Sequence, residues 1–317
     1  MKNVRWITAL GGYALLMVAA RFFARHAATS FSDVMFTRAF AAFALLFAPL
    51  WFCGFGAAEP LARASKVARI AAAAALALPY FAFSFGTPDF YWRAAVISIA
   101  LPVLLAAFVA LTDLPPRMTW RDAAVLAIIV AAHFMKWVNF WPAPAPAVFP
   151  KLFLADIALY SFLVGRRLGG MGYSLIPSAK TLQIGFREWL FYFPIALVLG
   201  EATGFIHFHA SVLRLSSVVA AILITSLLIA LPEELFFRAI MQNLLERRLG
   251  RYGGLISAAI LFGLSHFNHG SPFNWRYVLL ASVAGIFYGR AWRAERQVLA
   301  AVVTHTAVDV VWSLWFR

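Results

Sequence analysis

Ionisable side chains set inside long apolar stretches are the positions where this sequence could do chemistry. Three clusters stand out: Pro232-Glu233-Glu234-Leu235-Phe236-Phe237-Arg238, Phe262-Gly263-Leu264-Ser265-His266, and His305-Thr306-Ala307-Val308-Asp309. A charge at the centre of a bilayer costs at least about 2.5–3.5 kcal/mol on insertion scales, so each such residue calls for a partner, a water cavity or a task. Carboxylates and imidazoles are also the groups that hold water and move protons near neutral pH.

Helical geometry separates the two adjacent glutamates. Neighbours at i and i+1 point about 100° apart, whereas i and i+4 share a face. Glu234 and Arg238 therefore pair, with the glutamate N-terminal to the cation in the favourable order, and each reduces the burial cost of the other. Glu233 points away from that pair, as the poorly solvated carboxylate a general base requires. Depth brings the clusters together. At about 1.5 Å of rise per residue, Glu233 lies about 21 Å from Arg247, His266 about 20 Å from Gly253, and His305 about 14 Å from Arg296. Separate helices thus deliver one carboxylate and two imidazoles to similar levels.

Other polar residues read more plainly. His269 adjoins Gly270-Ser271-Pro272 and Asn268, and belongs to a loop. His207 and His209 are two apart, a poor spacing for one helical face, and fit a solvated loop. His133 and Lys136 share a segment with Trp137 and Asn139 and fit snorkelling and packing. Glu201, between Gly200 and Gly204, sits in a small-xxx-small packing signal, and Gly285 with Gly289 repeats that spacing at a close helix contact. Cys53 reads as a packed thiol.

The elements that must position these residues follow from composition. The chain has 317 residues, of which 63% are hydrophobic and 13% charged, and its mean hydropathy is +0.81. These values exclude a soluble domain and predict an all-α, polytopic transmembrane helical bundle of about 9–11 transmembrane segments. Apolar windows lie near 6–22, 37–56, 68–86, 93–112, 121–141, 150–165, 188–206, 214–245, 253–268, 277–291 and 298–316. The net charge of +14 does not indicate nucleic acid, because the basic residues sit at segment ends and not on an aromatic-interleaved surface. In this topology Arg21, Arg25, Arg38, Arg93, Lys151, Arg214, Arg276 and Arg317 lie on one side, Lys136 and Arg238 within segments, and the other 17 of the 27 basic residues on the opposite side. The positive-inside rule then places the N-terminus in the cytoplasm, and the expected location is a bacterial inner membrane. The alternating prolines of Trp141-Pro142-Ala143-Pro144-Ala145-Pro146 stop a helix and divide residues 1–145, accessory helices, from 146–317, which hold the chemistry.

In this order, the three clusters resemble the E-E-x-x-x-R, F-x-x-x-H and H-x-x-x-N/D motifs of the CPBP family of intramembrane proteases, the CAAX-prenyl-endopeptidase and bacteriocin-processing type. Glu233, Glu234 and Arg238 match the first, Phe262 and His266 the second, His305 and Asp309 the third, over about residues 180–317. Prenyl-protein members carry Asn where this chain has Asp309, which can accept from His305 but cannot donate to an oxyanion while ionised.

The resemblance implies an intramembrane endopeptidase acting near a membrane anchor or C-terminal tail. Glu233 activates water, His266 helps hold it, His305 and Asp309 lie near the oxyanion, and Glu234, Arg238 and Phe262 support them. It leaves metal dependence open. A metal-free glutamate mechanism and a divalent ion such as zinc held by Glu233, His266 and His305 both suit residues that lack an H-E-x-x-H pair. The expected partners are a membrane-anchored or hydrophobic-tailed peptide and the bilayer itself. A proton-coupled carrier and a non-hydrolytic peptide-binding or immunity protein are the competing readings, since midplane carboxylates and histidines also build relays.

Overall fold

The computed structural model describes residues 2–27, 32–143, 145–210, 214–270 and 272–316. Pro144 of the proline run, Ser271 of the loop after His269 and Arg317 of the charge count lie outside the described residues. Among the described residues helix is the regular secondary structure, joined by turns and loops, apart from a single antiparallel bridge between Phe208 and Phe316. Its main runs are α1 (Lys2–Ala27), α2 (Asp33–Cys53), α3 (Lys66–Ser84), α4 (Trp92–Ala110), α5 (Trp120–Phe134), α6 (Val148–Gly165), α7 (Ala179–Ala202), α8 (Leu215–Leu264), α9 (Trp275–Glu295) and α10 (Val298–Trp315).

Eight of these runs are long and apolar enough to cross a membrane. The longest, Leu215–Leu264, reverses within its length and contributes two arms, in keeping with the expected polytopic bundle, while the two remaining runs fall short of a span. Helix α5 is only 15 residues long, because the chain leaves the helix at Met135. Helix α9 has 21 residues but ends in Arg290, Arg293 and Glu295. The early exit of α5 also moves Lys136 out of the helix that carries His133, into a turn at φ 58°. Their shared face, expected from spacing, does not form.

The chain forms two compact units, residues 1–115 with 119–168, and residues 116–118 with 169–317. The first holds α1 to α6. Its buried charges are matched locally: Asp122 closes a capping box with Thr119 and pairs with Arg166 at 2.9 Å, both side chains being almost fully buried. Arg69 donates to the carbonyls of Val164 and Gly165 at the end of α6, where helix carbonyls have no partner of their own. Asp156 is also buried, and its Oδ1 has no hydrogen-bond partner among the described residues.

The second unit holds α7 to α10. Helix α8 is two arms of one 50-residue run. Gly250, at φ 76° and ψ 174°, turns the chain back on itself. A Cβ at Gly254 would then lie 2.4 Å from the Glu246 nitrogen, so only glycine fits where the arms separate. Glycine also sets the helix contacts around the site. A Cβ at Gly263 would meet Ser282 Oγ at 1.9 Å, one at Gly285 would meet Ala259 Cα at 3.0 Å, and one at Gly185 would meet Val303 at 2.6 Å. These bring α8 against α9 and α7 against α10 at backbone distance, the close packing expected of Gly285 and Gly289 and the main attraction between helices in lipid. Gly200 is different. It accommodates Ile206 where the chain turns at the end of α7, so Gly200 and Gly204 form a helix exit and not a helix–helix contact.

The first arm of α8 is irregular where it matters. Residues Thr225–Ala230 and Leu235–Gln242 are π-helical, on either side of the short α-turn Leu231–Glu234. Pro232 cannot donate to the helical ladder and its ring crowds the preceding turn, and a widened wrap relieves both. The two glutamates therefore sit on a tight turn between two loosened ones.

Candidate active site

Glu234 and Arg238, four residues apart, form the pair their spacing predicts. Arg238 Nε lies 2.9 Å from Glu234 Oε2, and neither side chain has any exposed surface. The two Nη nitrogens have no hydrogen-bond partner among the described residues. The guanidinium lies instead over the rings of Phe262 at 4.9 Å and Tyr288 at 5.8 Å, where the π faces stabilise the cation.

The second oxygen of Glu234 does what spacing along one helix does not reveal. Oε1 lies 2.8 Å from Nδ1 of His305, on α10 and 71 residues away. That contact fixes the plane of the imidazole and turns its other nitrogen towards two more carboxylates. Nε2 is 3.3 Å from Asp309 Oδ2, its i+4 neighbour, and 3.8 Å from Glu233 Oε2. Tyr288 stacks on the opposite side of the ring, 4.6 Å away and 14° from parallel. His305 is thus clamped at both nitrogens and on one face, with only 3% of its side chain exposed. Glu233 at 17% and Asp309 at 32% line the more open side of the group.

His266 arrives in the turn just past the second arm of α8. Its Nδ1 lies 2.9 Å from the carbonyl of Phe262, one helical turn back, which orients the ring and directs Nε2 away from the helix. The nearly buried Phe262 ring links the components, with centroid distances of 4.9 Å to His266, 5.7 Å to His305 and 5.1 Å to Phe237. Tyr277 of α9 packs on His266 at 4.7 Å and on His269 at 5.0 Å.

Glu233, Glu234, Arg238, Phe262, His266, His305 and Asp309 therefore converge from both arms of α8 and from α10. His269 stands at the rim of the group in an exposed turn, while His207 and His209 lie in an exposed loop whose backbone pairs with the end of α10. Glu201 is exposed at the end of α7. Three contributors were missed by reading the sequence: the Glu234–His305 bond, Tyr288 and Tyr277. Tyrosine in a membrane helix usually marks an interface, and nothing in its spacing indicates a ring stacked on a particular histidine.

Among the described residues no three His, Cys, Asp or Glu side chains are arranged to hold an ion. His266 and His305 each engage Nδ1, with the Phe262 carbonyl and with Glu234, the kind of outer partner that leaves Nε2 as the nitrogen offered to water or to an ion.

The order Glu-Glu-Arg, Phe-His, His-Asp on two packed elements is now joined to a family. Residues 215–311 match the model of the Rce1-like type II CAAX prenyl endopeptidases. The match covers less than half of the chain, but it contains all seven converging residues and agrees with the resemblance to the CPBP proteases. No curated protein and no solved structure matches the chain. With eight helices able to cross a membrane, the Rce1-like segment supports an integral membrane protein with a CAAX-type intramembrane endopeptidase domain, for which a membrane-anchored peptide is the general kind of substrate.

Proposed function

We propose that the second unit hydrolyses a peptide bond close to a membrane anchor or C-terminal hydrophobic tail, with water activated by Glu233. The observation that carries this reading is the clamped imidazole: His305 is held through Nδ1 by Glu234 while Nε2 faces Glu233 and Asp309. In this mechanism Glu233 accepts a proton from a water that His266 helps to hold. The resulting hydroxide attacks the scissile carbonyl. His305 donates from Nε2 to the developing oxyanion, taking it over from Asp309, which keeps that N–H aimed into the site. Glu233 then returns the proton to the leaving amine. Placing Asp309 as the acceptor that orients His305 removes the difficulty that an ionised aspartate cannot itself donate to an oxyanion. Glu234, Arg238 and Phe262 position the imidazoles and touch no reacting atom.

The first unit, in this reading, is an accessory set of helices, with the N-terminus in the cytoplasm. Purified protein reconstituted in lipid, incubated with tailed peptides and followed by mass spectrometry, tests the proposal. Wild type should release a defined fragment, and Glu233→Gln and His266→Ala should fold with unchanged helicity and release none. Full cleavage by either folded variant would overturn the assignment of that residue.

A further inference from the structure

At the Gly250 reversal of α8 and the C-terminal end of α9, away from the glutamates, lies a second polar region that the proposed reaction does not use. It is a cavity of about 530 Å³ bordered by Arg247, Arg251, Arg293 and Arg296, with Glu246 and Asn243 among its other walls. Four guanidiniums face one carboxylate there. Glu246, with 6% of its side chain exposed, serves two of them, Arg296 at 2.8 Å and Arg293 at 4.0 Å, besides accepting from Gln242 at 2.8 Å. Arg251 and Arg293 lie over the same ring, that of Tyr252, at 5.8 and 5.7 Å, and Arg293 Nη1 donates to the Arg251 carbonyl. Two like charges thus share one aromatic ring, and the cavity has an excess of three positive charges once Glu246 is counted.

The positive-inside rule explains why arginines occur at this end of the helices, but not why four of them, from both arms of α8 and from the end of α9, close around one space. The backbone supports the arrangement. Arg296 adopts φ 53°, and a Cβ at Gly172 would lie 1.6 Å from its carbonyl oxygen, so the segment holding Arg296 is fixed against a glycine at φ 63°. The second arm of α8 starts just beyond Gly250 beside the cavity, with the positive end of its helix dipole there. Guanidiniums pair with phosphate oxygens through two parallel hydrogen bonds, and basic pockets between membrane helices are suited to anionic head groups.

We infer that this cavity binds a phosphate group, either the head group of an anionic phospholipid or a free phosphate. Arg251 is the residue to test, since Arg293 and Arg296 also anchor Glu246, and Arg247 bonds to the backbone of Gly169 and Pro116. Arg248, its exposed neighbour in sequence outside the cavity wall, is the control. The full chain in detergent would be examined by native mass spectrometry with phosphatidylglycerol and with phosphatidylcholine, and by thermal unfolding with inorganic phosphate.

Wild type is expected to retain phosphatidylglycerol at least about tenfold better than phosphatidylcholine, with Arg251→Glu losing that preference and Arg248→Glu keeping it; this result assigns the site to a lipid head group. Phosphate-dependent stabilisation of wild type and of Arg248→Glu but not Arg251→Glu, without lipid preference, assigns it to a free anion. Equal losses in the two variants would mean diffuse attraction and overturn the proposal. So would a wild type showing neither lipid preference nor phosphate stabilisation, an outcome independent of whether any variant folds.

Discussion

The Glu234–Arg238 pair allows a quantitative test. Both side chains are fully buried, and removing one member of such a pair leaves an uncompensated charge in a low-dielectric site, at about 3–5 kcal/mol. The two single substitutions should differ. Arg238→Met leaves Glu234 with His305 Nδ1 at 2.8 Å, so part of the charge remains matched and the loss should fall near 3 kcal/mol. Glu234→Gln removes the counter-ion of the Arg238 guanidinium, leaving it a neutral amide oxygen and aromatic faces, and should fall near 5 kcal/mol. The double variant has no orphan charge. Its loss should be smaller than the sum of the singles by at least about 2 kcal/mol, within the coupling observed for residues in direct contact. Reversible unfolding in mixed micelles, followed by circular dichroism and checked for two-state behaviour, measures all three. Losses that add to within about 0.5 kcal/mol would show that the pair is not coupled in the folded protein and refute the scaffold role. Activity gives a second readout: Glu234→Gln should weaken catalysis more than Arg238→Met at matched folded fraction, since only the former alters the acceptor on His305.

Four further outcomes are expected. Replacing Glu233 by Gln should lower the turnover rate by about 10²–10⁴, the usual contribution of a general base, without a change in helicity. Asp309→Asn should stay within about tenfold of wild type in peptide cleavage because an amide oxygen still accepts from His305, whereas a loss of about 10² or more in Asp309→Ala would mark the missing acceptor. Gly172→Ala should prevent stable folding, seen as loss of a cooperative thermal transition, because the new Cβ would occupy the Arg296 carbonyl at a positive φ. A cysteine at Arg248 should be labelled by an impermeant maleimide only after the cytoplasmic face is exposed; labelling in intact cells would reverse the proposed topology.

Much of the site could be read from sequence wherever one helix carries both partners. Glu234 with Arg238 and His305 with Asp309 are each four residues apart, and the periodicity places them correctly. The Glu234–His305 contact spans 71 residues and two helices, so no local pattern encodes it. The π-helical wraps around Leu231–Glu234 also have no composition of their own, because they arise from accommodating Pro232 against neighbours. Lys136 was misplaced because hydropathy continues beyond Phe134 while the backbone does not. Asp156 passed unnoticed inside a segment judged by its length, although 2% exposure makes it one of the most buried carboxylates of the first unit. The arginines of the second cavity were visible as topology signals, but their convergence depends on the reversal at Gly250.

That reversal has a consequence for biogenesis. Because the chain doubles back at Gly250, Glu233 and His266 belong to one hairpin that can enter the bilayer as a unit, already carrying Arg238 matched by Glu234. His305 follows only when α10 is inserted. Until then Glu234 has one of its two partners and the proposed hydrolytic group lacks its clamped imidazole. Under the proposed mechanism, proteolytic competence is thus deferred until α10 is inserted, and a nascent chain halted before α10 would hold the hairpin in the membrane without being able to cut its neighbours.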